Sequence, residues 1–142
     1  MKKLLFSLYK KVIKLFYGSN ISKYDIVRKT SGYMNNQLHP EFVEIEGNKI
    51  YLDENDSLFL SSSILHEQTI VNLVKNEIKK GDVVIDIGAH IGYYTVLFAK
   101  LVGPKGRVFA FEASPTNFEI LKKNVNVNGY QNVTLNNKAV SD

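Results

Sequence analysis

The sequence predicts an α/β fold: a Rossmann-like, mostly parallel sheet flanked by helices and preceded by helices and a β-hairpin. Three apolar stretches suited to strands, 83–87, 107–112 and 132–136, alternate with two of helical period, 91–102 and 115–129. Strands joined through helices in this way form right-handed crossovers and a parallel sheet. Glycines follow the first strand and a glutamate ends the second, which predicts a ligand site at the carboxyl edge of the sheet.

The composition indicates one folded domain with a short extension. The chain has 142 residues, of which 44% are hydrophobic and 23% charged, enough apolar surface for a single core. It has no cysteine and only three histidines, which excludes disulfides, thiolate zinc sites and cysteine nucleophiles. His66-Glu67 lacks the second histidine of a metalloprotease motif, so we expect no metal site. The absence of cysteine favours a reducing compartment, the cytoplasm.

The first 32 residues form a basic arm. They contain eight lysines and arginines and one acid, whereas residues 33–142 contain ten basic and thirteen acidic residues. Lysines recur at helical spacing among leucines in residues 1–18, which predicts a cationic amphipathic helix ending at Gly18. Packing on its own domain and peripheral contact with an anionic membrane both remain open. Its apolar runs are too short to span a bilayer, and charge without stacking groups makes a nucleic-acid partner unexpected.

Three further elements are predicted between the arm and the sheet. Residues 22–32 are predicted to form a short helix, and residues 42–52 a hairpin that turns at Gly47-Asn48. Apolar residues recur at helical spacing over residues 70–78, which predicts another helix. The predicted organisation has three parts: a basic helical arm over 1–32, a hairpin lead-in over 33–66 and a partial Rossmann-like domain over 67–142. Within that domain the first strand, VVIDI, is suited to burial on both faces.

The candidate site is the loop Asp86-Ile87-Gly88-Ala89-His90-Ile91-Gly92, which follows the first strand. Glycines let the backbone approach a ligand closely and turn sharply into the next helix. Glu112 ends the second strand 24 positions after Gly88, and a carboxylate placed there accepts both hydroxyls of a ribose. The loop, the spacing and the terminal acid together predict a ligand that contains a nucleoside.

The glycine spacing favours one class of nucleoside ligand. The loop has G-x-x-x-G, whereas a dinucleotide site needs G-x-G-x-x-G and a nucleoside triphosphate site needs G-x-x-x-x-G-K-[ST]. Asp86 precedes the loop and suits a ligand with a positive end, such as the amino group and sulfonium of S-adenosylmethionine. Methyl transfer is therefore favoured over the hydride transfer of a nicotinamide dehydrogenase.

Residues 42–142 carry four specific motifs: D-x-G-A-x-x-G, T-x-x-x-A-x-x-x-G-x-x-G-x-V-x-A-F-E, N-x-x-x-L-x-x-N-x-x-x-N-G and A-V-S-D. With these motifs the chain resembles the FkbM-type S-adenosylmethionine-dependent methyltransferases. The resemblance implies a seven-stranded Rossmann-like fold and O-methylation of a hydroxyl on a sugar or other metabolite, either a small molecule or a glycan. It implies that Asp86, Gly88 and Gly92 hold the methionine end and Glu112 the ribose. The other predicted cofactor-binding residues are Ala89, His90 and Ala113.

The chain departs from that family in two ways. His90 stands where the family usually carries asparagine, so an imidazole N–H replaces the amide as the donor to the ligand. A structural role for His90 is favoured over a catalytic base, because methyl transfer relies on alignment and a base is expected near the acceptor, and no catalytic residue is assigned. The family's later strands have no counterpart before Asp142, so we expect the first strand to have an open apolar edge. The sequence therefore also allows a non-catalytic remnant, or a module completed by a second chain that carries the missing strands. The acidic residues Asp53, Glu54 and Asp56 are expected to form a solvated turn.

Overall fold

The fold is taken from a computed structural model, which describes Leu5, Leu8, Lys11 and residues 40–58, 60–61 and 68–141. Its elements are β1 (Phe42–Ile45), β2 (Asn48–Tyr51), α1 (Gln68–Glu77), β3 (Val83–Ile87), α2 (Tyr93–Val102), β4 (Arg107–Phe111), α3 (Pro115–Val127) and β5 (Val133–Asn136). The predicted hairpin and the predicted alternation of strands and helices are both confirmed. Element ends differ from the prediction by two residues or fewer.

The central sheet consists of β3, β4 and β5 in that order, all parallel. Its register pairs Ile87 with Phe111 and Phe111 with Asn136, so the carboxyl ends of the strands lie side by side. Helix α2 packs on β3 and β4, and α3 packs on α2 and β2. The core between them includes Val96, Leu97, Ala110, Leu121, Val125, Ile50 of the hairpin and Val71 of α1. The predicted α/β class is confirmed.

The prediction that β3 is buried on both faces is wrong. Val83, Ile85 and Ile87 share one face of the strand and are 65%, 62% and 64% exposed. Only β4 pairs with β3 among the described residues, so the other edge of β3 is open, as the sequence predicts. The helices described here cover the opposite face of the sheet, which carries Val108 and Ala110 at zero exposure. In the part of the chain that the structure describes, one apolar face of β3 and its unpaired edge are therefore exposed together.

The hairpin turns one residue earlier than predicted. Ile45 pairs with Asn48, and the turn residues Glu46 and Gly47 have φ angles of 54° and 73°. Two consecutive positive φ angles are typical of a type I′ turn, whose twist matches that of the strands. Asn48 is therefore the first residue of β2 and not a turn residue. Its side chain is buried, and its Oδ1 accepts a hydrogen bond from the Tyr130 hydroxyl at 2.6 Å, which holds it in the strand.

Asn124 of α3 and Asn128, the residue that follows the last turn of α3, hold the hairpin against the domain. Asn124 Oδ1 accepts from the Tyr51 N–H at 2.7 Å, and Asn124 Nδ2 donates to the Tyr51 carbonyl at 3.0 Å. One turn later, Asn128 makes the same pair of bonds to Lys49, at 2.9 and 2.8 Å. The two amides thus bind the free backbone edge of β2 much as a neighbouring strand would.

Most of the predicted basic arm, and the whole predicted helix over 22–32, lie outside the described residues. Leu5, Leu8 and Lys11 are helical and exposed, which agrees with the helix predicted for residues 1–18 at these three positions. In the part of the chain that the structure describes, no helix is both long enough and apolar enough to cross a membrane.

Candidate functional site

The loop between β3 and α2 folds over the end of β4. The N–H groups of Gly88 and Ala89 both donate to the Phe111 carbonyl at 2.9 Å. Gly88 has a φ of 76°, and a Cβ built on it would meet no atom within 4 Å, so open space borders the loop there. Gly92 has a φ of 89°, but its Cβ would lie 2.5 Å from Leu121 Cδ1. Gly88 therefore leaves room for a ligand, whereas Gly92 lets the loop pack on α3.

Glu112 joins the loop to the end of β4. Its Oε2 accepts from the His90 N–H and its Oε1 from the Ser114 N–H, both at 2.8 Å. The residue is only 8% exposed. A carboxylate offers about four acceptor positions, so each oxygen keeps one for another donor. The predicted site residues Glu112 and His90 are thus in direct contact.

Asp86 lies on the helix-covered face of β3 and binds α2. Its Oδ2 accepts from the hydroxyl of the fully buried Thr95 at 2.5 Å. Burial raises the pKa of Asp86, the Thr95 hydrogen bond opposes that rise, and the negative charge of Glu112 adds to it. Among the described residues neither Asp86 nor Glu112 forms a salt bridge. In the described part of the chain, the site therefore holds two neighbouring carboxylates that form no ion pair.

His90 lies within the loop, and its side chain faces the turn that follows β2. It has a φ of 51°, in the left-handed region that is uncommon for residues other than glycine but in which histidine, like asparagine and aspartate, is enriched. Its Nε2 is 3.4 Å from the Ser57 hydroxyl, which in turn donates to Asp53 Oδ2 at 2.7 Å. Its Nδ1 is buried and has no hydrogen-bond partner among the described residues.

The acidic turn after β2 is only partly solvated. Glu54 is exposed, but Asp56 is 1% exposed and accepts from the N–H groups of Leu60 and Ser61 at 2.9 and 3.0 Å. The expectation of a solvated turn is therefore wrong for Asp56, because its carboxylate satisfies backbone groups that would otherwise lack partners. Asp53 is half-buried, and hydrogen bonds from Ser57 lower its pKa against the opposing effect of burial.

The remaining predicted residues border this cluster. Ala89 is buried beneath the loop, whereas Ala113 is exposed and its carbonyl accepts from Asn137 Nδ2 at 3.3 Å. Sequence reasoning did not identify Thr95, Ser57 or Asn124 as supporting residues. Asn124 Nδ2 also donates to the Ile91 carbonyl at 2.8 Å and so fixes the loop to α3. Thr95 and Asn124 occupy fixed positions in the motifs quoted above, which was the available signal.

A cavity of about 670 Å³ lies at the opposite edge of the sheet, where β4 and β5 begin. Lys80, Lys100, Lys105 and Arg107 are among its lining residues. Lys80 Nζ donates to the Lys100 carbonyl at 3.0 Å, and Asn132 Nδ2 donates to two other carbonyls at the end of α2. These groups cap a helix C-terminus, where cations are favourable. The cavity is remote from the loop, and we assign it no ligand.

Comparison with known proteins identifies the family. Residues 42–140 match the model of the TRM5/TYW2 methyltransferase domain. The chain belongs to this family. The model describes a methyltransferase domain, and the matched range contains the loop, Asp86, Glu112 and the hairpin with its asparagine contacts. This match does not specifically support the FkbM type that the sequence resembles.

Individual relatives of this TRM5/TYW2-family chain cover parts of it. Protein-L-isoaspartate O-methyltransferase of Ignicoccus hospitalis is 37% identical over 59 residues, which are 42% of this chain and 28% of that protein. A Methanocaldococcus jannaschii tRNA(Phe) (4-demethylwyosine(37)-C(7)) aminocarboxypropyltransferase is 36% identical over 73 residues, 51% of this chain and 28% of that protein. The 31-O-demethyl-FK506 methyltransferase FkbM of Streptomyces tacrolimicus is 48% identical over 48 residues, which are 34% of this chain and 18% of that protein. The chain spans less than a third of the length of these relatives.

A solved structure supports both the fold and the cofactor. M. jannaschii TYW2 in complex with AdoMet, that is S-adenosylmethionine, superposes with a TM-score of 0.52 at 26% identity, over 67% of this chain and 41% of that one. S-adenosylmethionine is the cofactor of this methyltransferase family. The residues present fit such a ligand: two carboxylates that form no salt bridge with any described residue suit a cationic group, and the open space at Gly88 admits a close approach.

Proposed function

We propose that this chain forms the cofactor-binding part of an S-adenosylmethionine-dependent methyltransferase that acts on an oxygen atom. The observation that carries the proposal is the pairing of Asp86 and Glu112 at the ends of adjacent strands. Burial and the charge of Glu112 raise the pKa of Asp86, so its ionised form is disfavoured without a nearby cation. A ligand with a sulfonium and an ammonium group supplies that positive charge.

Each residue of the loop has its own role in this proposal. Glu112 accepts hydrogen bonds from the ribose hydroxyls with the lone pairs that His90 and Ser114 leave unused. Asp86 attracts the charged methionine end, and Thr95 holds its carboxylate in place. Gly88 lets the ligand approach the backbone, with Ala89 and Ala113 beside it.

An oxygen acceptor is supported by the relatives. Those from Ignicoccus hospitalis and Streptomyces tacrolimicus are named as an O-methyltransferase and as a methyltransferase for a 31-O-demethyl compound. A hydroxyl of a sugar or another metabolite is our first candidate. S-adenosylmethionine supplies a methyl group activated by the adjacent sulfonium, and the protein aligns that group with the acceptor.

A tRNA acceptor is the second candidate. It is favoured by the match to the TRM5/TYW2 domain and by the tRNA-modifying relative from M. jannaschii. The basic arm, with eight lysines and arginines in residues 1–32, provides positive charge for a polyanion. Methyl acceptance by a tRNA at low salt, lost at high salt, would favour this candidate over a small hydroxylated acceptor.

We further propose that strands outside the described residues cover the open edge of β3 in the active enzyme. Val83, Ile85 and Ile87 expose an apolar face beside the open edge of β3, a combination that natural sheets avoid. Methyl transfer needs the acceptor and the cofactor held together, so we expect the 142-residue chain alone to transfer no methyl group. Turnover by the purified chain alone, abolished in Asp86→Ala, would contradict this proposal.

The cofactor site is tested by calorimetric titration of the full chain with S-adenosylmethionine, S-adenosylhomocysteine and NAD. We expect the two adenosyl ligands to bind and NAD not to bind. Glu112→Gln should weaken binding by about 1.5–3 kcal/mol, the range for hydrogen bonds to a charged group. Glu119→Gln is the matched control, because Glu119 is an exposed acid on α3. Binding of NAD alone, or equal effects of both variants, would refute the assignment.

A further inference from the structure

We propose that Asn137 is a positioning residue for the cofactor site. Its side-chain amide fixes the two peptide groups that follow β4, and it thereby holds the carboxylate of Glu112 in the orientation that accepts the ribose hydroxyls. The inference rests on the ribose role of Glu112 proposed above. It goes beyond that role because Asn137 lies outside the four sequence motifs and was not among the predicted site residues.

The side chain of Asn137 extends the pairing between β4 and β5 beyond the end of both strands. The Glu112 N–H donates to the Asn136 carbonyl at 3.0 Å, which continues the parallel ladder by one bond. In the described part of the chain, no backbone N–H donates to the Glu112 carbonyl that follows. Asn137 Nδ2 donates to this carbonyl instead, at 2.8 Å. The amide thus replaces a ladder bond at the edge of the sheet where the cofactor site lies.

The same amide nitrogen also contacts the next carbonyl along the chain. Asn137 Nδ2 is 3.3 Å from the Ala113 oxygen. An amide nitrogen carries two protons, so one side chain can donate to both carbonyls. Because each peptide group is planar, fixing two consecutive carbonyls fixes the planes of both peptide groups between Glu112 and Ser114. Asn137 therefore determines the path of the chain as it leaves β4.

The second of these peptide groups links Asn137 to the carboxylate of Glu112. The Ala113 carbonyl and the Ser114 N–H belong to one trans peptide group, in which they point in opposite directions. Holding the carbonyl therefore also directs the N–H. The Ser114 N–H donates to Glu112 Oε1 at 2.8 Å. Asn137 thus acts on the Glu112 carboxylate through Ser114.

The orientation of the Glu112 carboxylate depends on two backbone groups. Oε1 accepts from Ser114 and Oε2 from His90, and no side chain among the described residues donates to either oxygen. Without a fixed Ser114 N–H, the carboxylate keeps a single contact and can rotate about it. Hydrogen bonds weaken steeply when they are misaligned. Loss of the Asn137 amide should therefore weaken the bonds from Glu112 to the ribose.

The binding test is a double-mutant cycle, measured by calorimetric titration of the full chain with S-adenosylhomocysteine. Asn137→Ala should weaken binding about three- to tenfold, because the bonds to Glu112 lose their alignment. In the Glu112→Gln background the same substitution should weaken binding by less than about twofold, because residues that act through one contact have non-additive effects. Asn126→Ala, at an exposed asparagine of α3, should have no effect in either background.

A second test needs no ligand. In Asn137→Ala the Ser114 amide should exchange its hydrogen with solvent about tenfold faster or more, as measured by NMR. The Val108 amide, which donates to the Asn132 carbonyl at the other end of β4, should exchange at the wild-type rate. The midpoint of urea denaturation should change little, because Asn137 is exposed and lies beyond the end of β5.

The outcomes separate this inference from the proposed function. No weakening by Asn137→Ala, or equal weakening in the wild-type and Glu112→Gln backgrounds, would overturn the positioning role. Unchanged exchange at Ser114 would overturn it as well, whether or not a ligand binds. Failure of the wild-type chain to bind any adenosyl ligand would overturn the proposed cofactor site and the ribose role on which the inference rests.

Discussion

Asn124 binds both backbone groups of Tyr51 with one side-chain amide, at 2.7 and 3.0 Å. A third bond, from its Nδ2 to the Ile91 carbonyl at 2.8 Å, attaches the same amide to the loop between β3 and α2. Asn124 has no exposed surface. A single side chain therefore fixes the hairpin, the loop and α3 relative to one another.

Replacing Asn124 by alanine should lower the free energy of unfolding by about 2–4 kcal/mol. The change leaves the Tyr51 N–H and the Ile91 carbonyl without this partner in a buried region, and each such group costs about 1–3 kcal/mol. Urea denaturation measures the effect. Asn126→Ala on the exposed side of α3 is the control and should change stability by less than about 0.5 kcal/mol. Equal losses in the two variants would refute the bridging role.

Gly92→Ala should destabilise the protein more than Gly129→Ala. Both glycines have positive φ angles, 89° and 71°, so both substitutions incur backbone strain of about 1–2 kcal/mol. Only the Cβ at position 92 would also meet Leu121, whose side chain is fully buried and cannot move aside freely. We expect a further 1–3 kcal/mol, roughly the cost of overpacking. The difference between the two unfolding free energies isolates the close contact.

Asp86→Asn should weaken S-adenosylmethionine binding about tenfold or more and at the same time stabilise the ligand-free protein at neutral pH. The pKa of Asp86 is raised by burial, so the folded chain holds its proton more tightly than the unfolded chain. Stability is then highest below the ordinary carboxyl pKa and falls as the pH rises through the window up to the raised value. The asparagine variant should lack this fall. Unfolding free energies of both proteins between pH 3.5 and 7.5 test the sign.

Ile85→Thr should reduce self-association with little change in stability. Ile85 is 62% exposed, so threonine removes apolar surface from the open face and keeps a β-branched side chain. We expect a change in unfolding free energy below about 0.5 kcal/mol. Val108→Thr, at a position with no exposure in the adjacent strand, should cost about 1–3 kcal/mol instead. Sedimentation velocity and urea denaturation distinguish the two effects.

The positions of the strands and of the flanking helices were predictable, because each follows from a pattern of neighbouring residues in the sequence. The apolar run at β3, the helical period of α2 and Pro115 at the start of α3 all have near-neighbour causes, and the structure agrees with them. The turn at Glu46-Gly47 was misplaced by one residue because Asn48 is held by Tyr130, more than eighty positions away. Such a contact leaves no local signal.

The contact between His90 and Glu112 was predictable, but the residues that support it were not. Asp86, His90 and Glu112 meet because strand ends of a parallel sheet lie together, which the motif spacing already implies. Ser57 and Asp53 reach His90 from a segment that reads as an ordinary polar turn. The exposed face of β3 was not predicted, because an apolar run indicates that a strand is buried but does not indicate which elements cover its two faces.

The amide contacts between α3 and β2 also bear on the order of assembly. They join residues 79 and 73 positions apart, whereas the hairpin closes across only two residues. As the chain emerges during synthesis, β1 and β2 can pair long before α3 exists, but they can dock only after it has formed. Contacts of such long range are slow to establish. The backbone amides of Lys49 and Tyr51 should therefore be among the last in the hairpin to gain protection from hydrogen exchange with solvent. The time at which they become protected measures when the hairpin and the domain that contains α3 join into one folding unit.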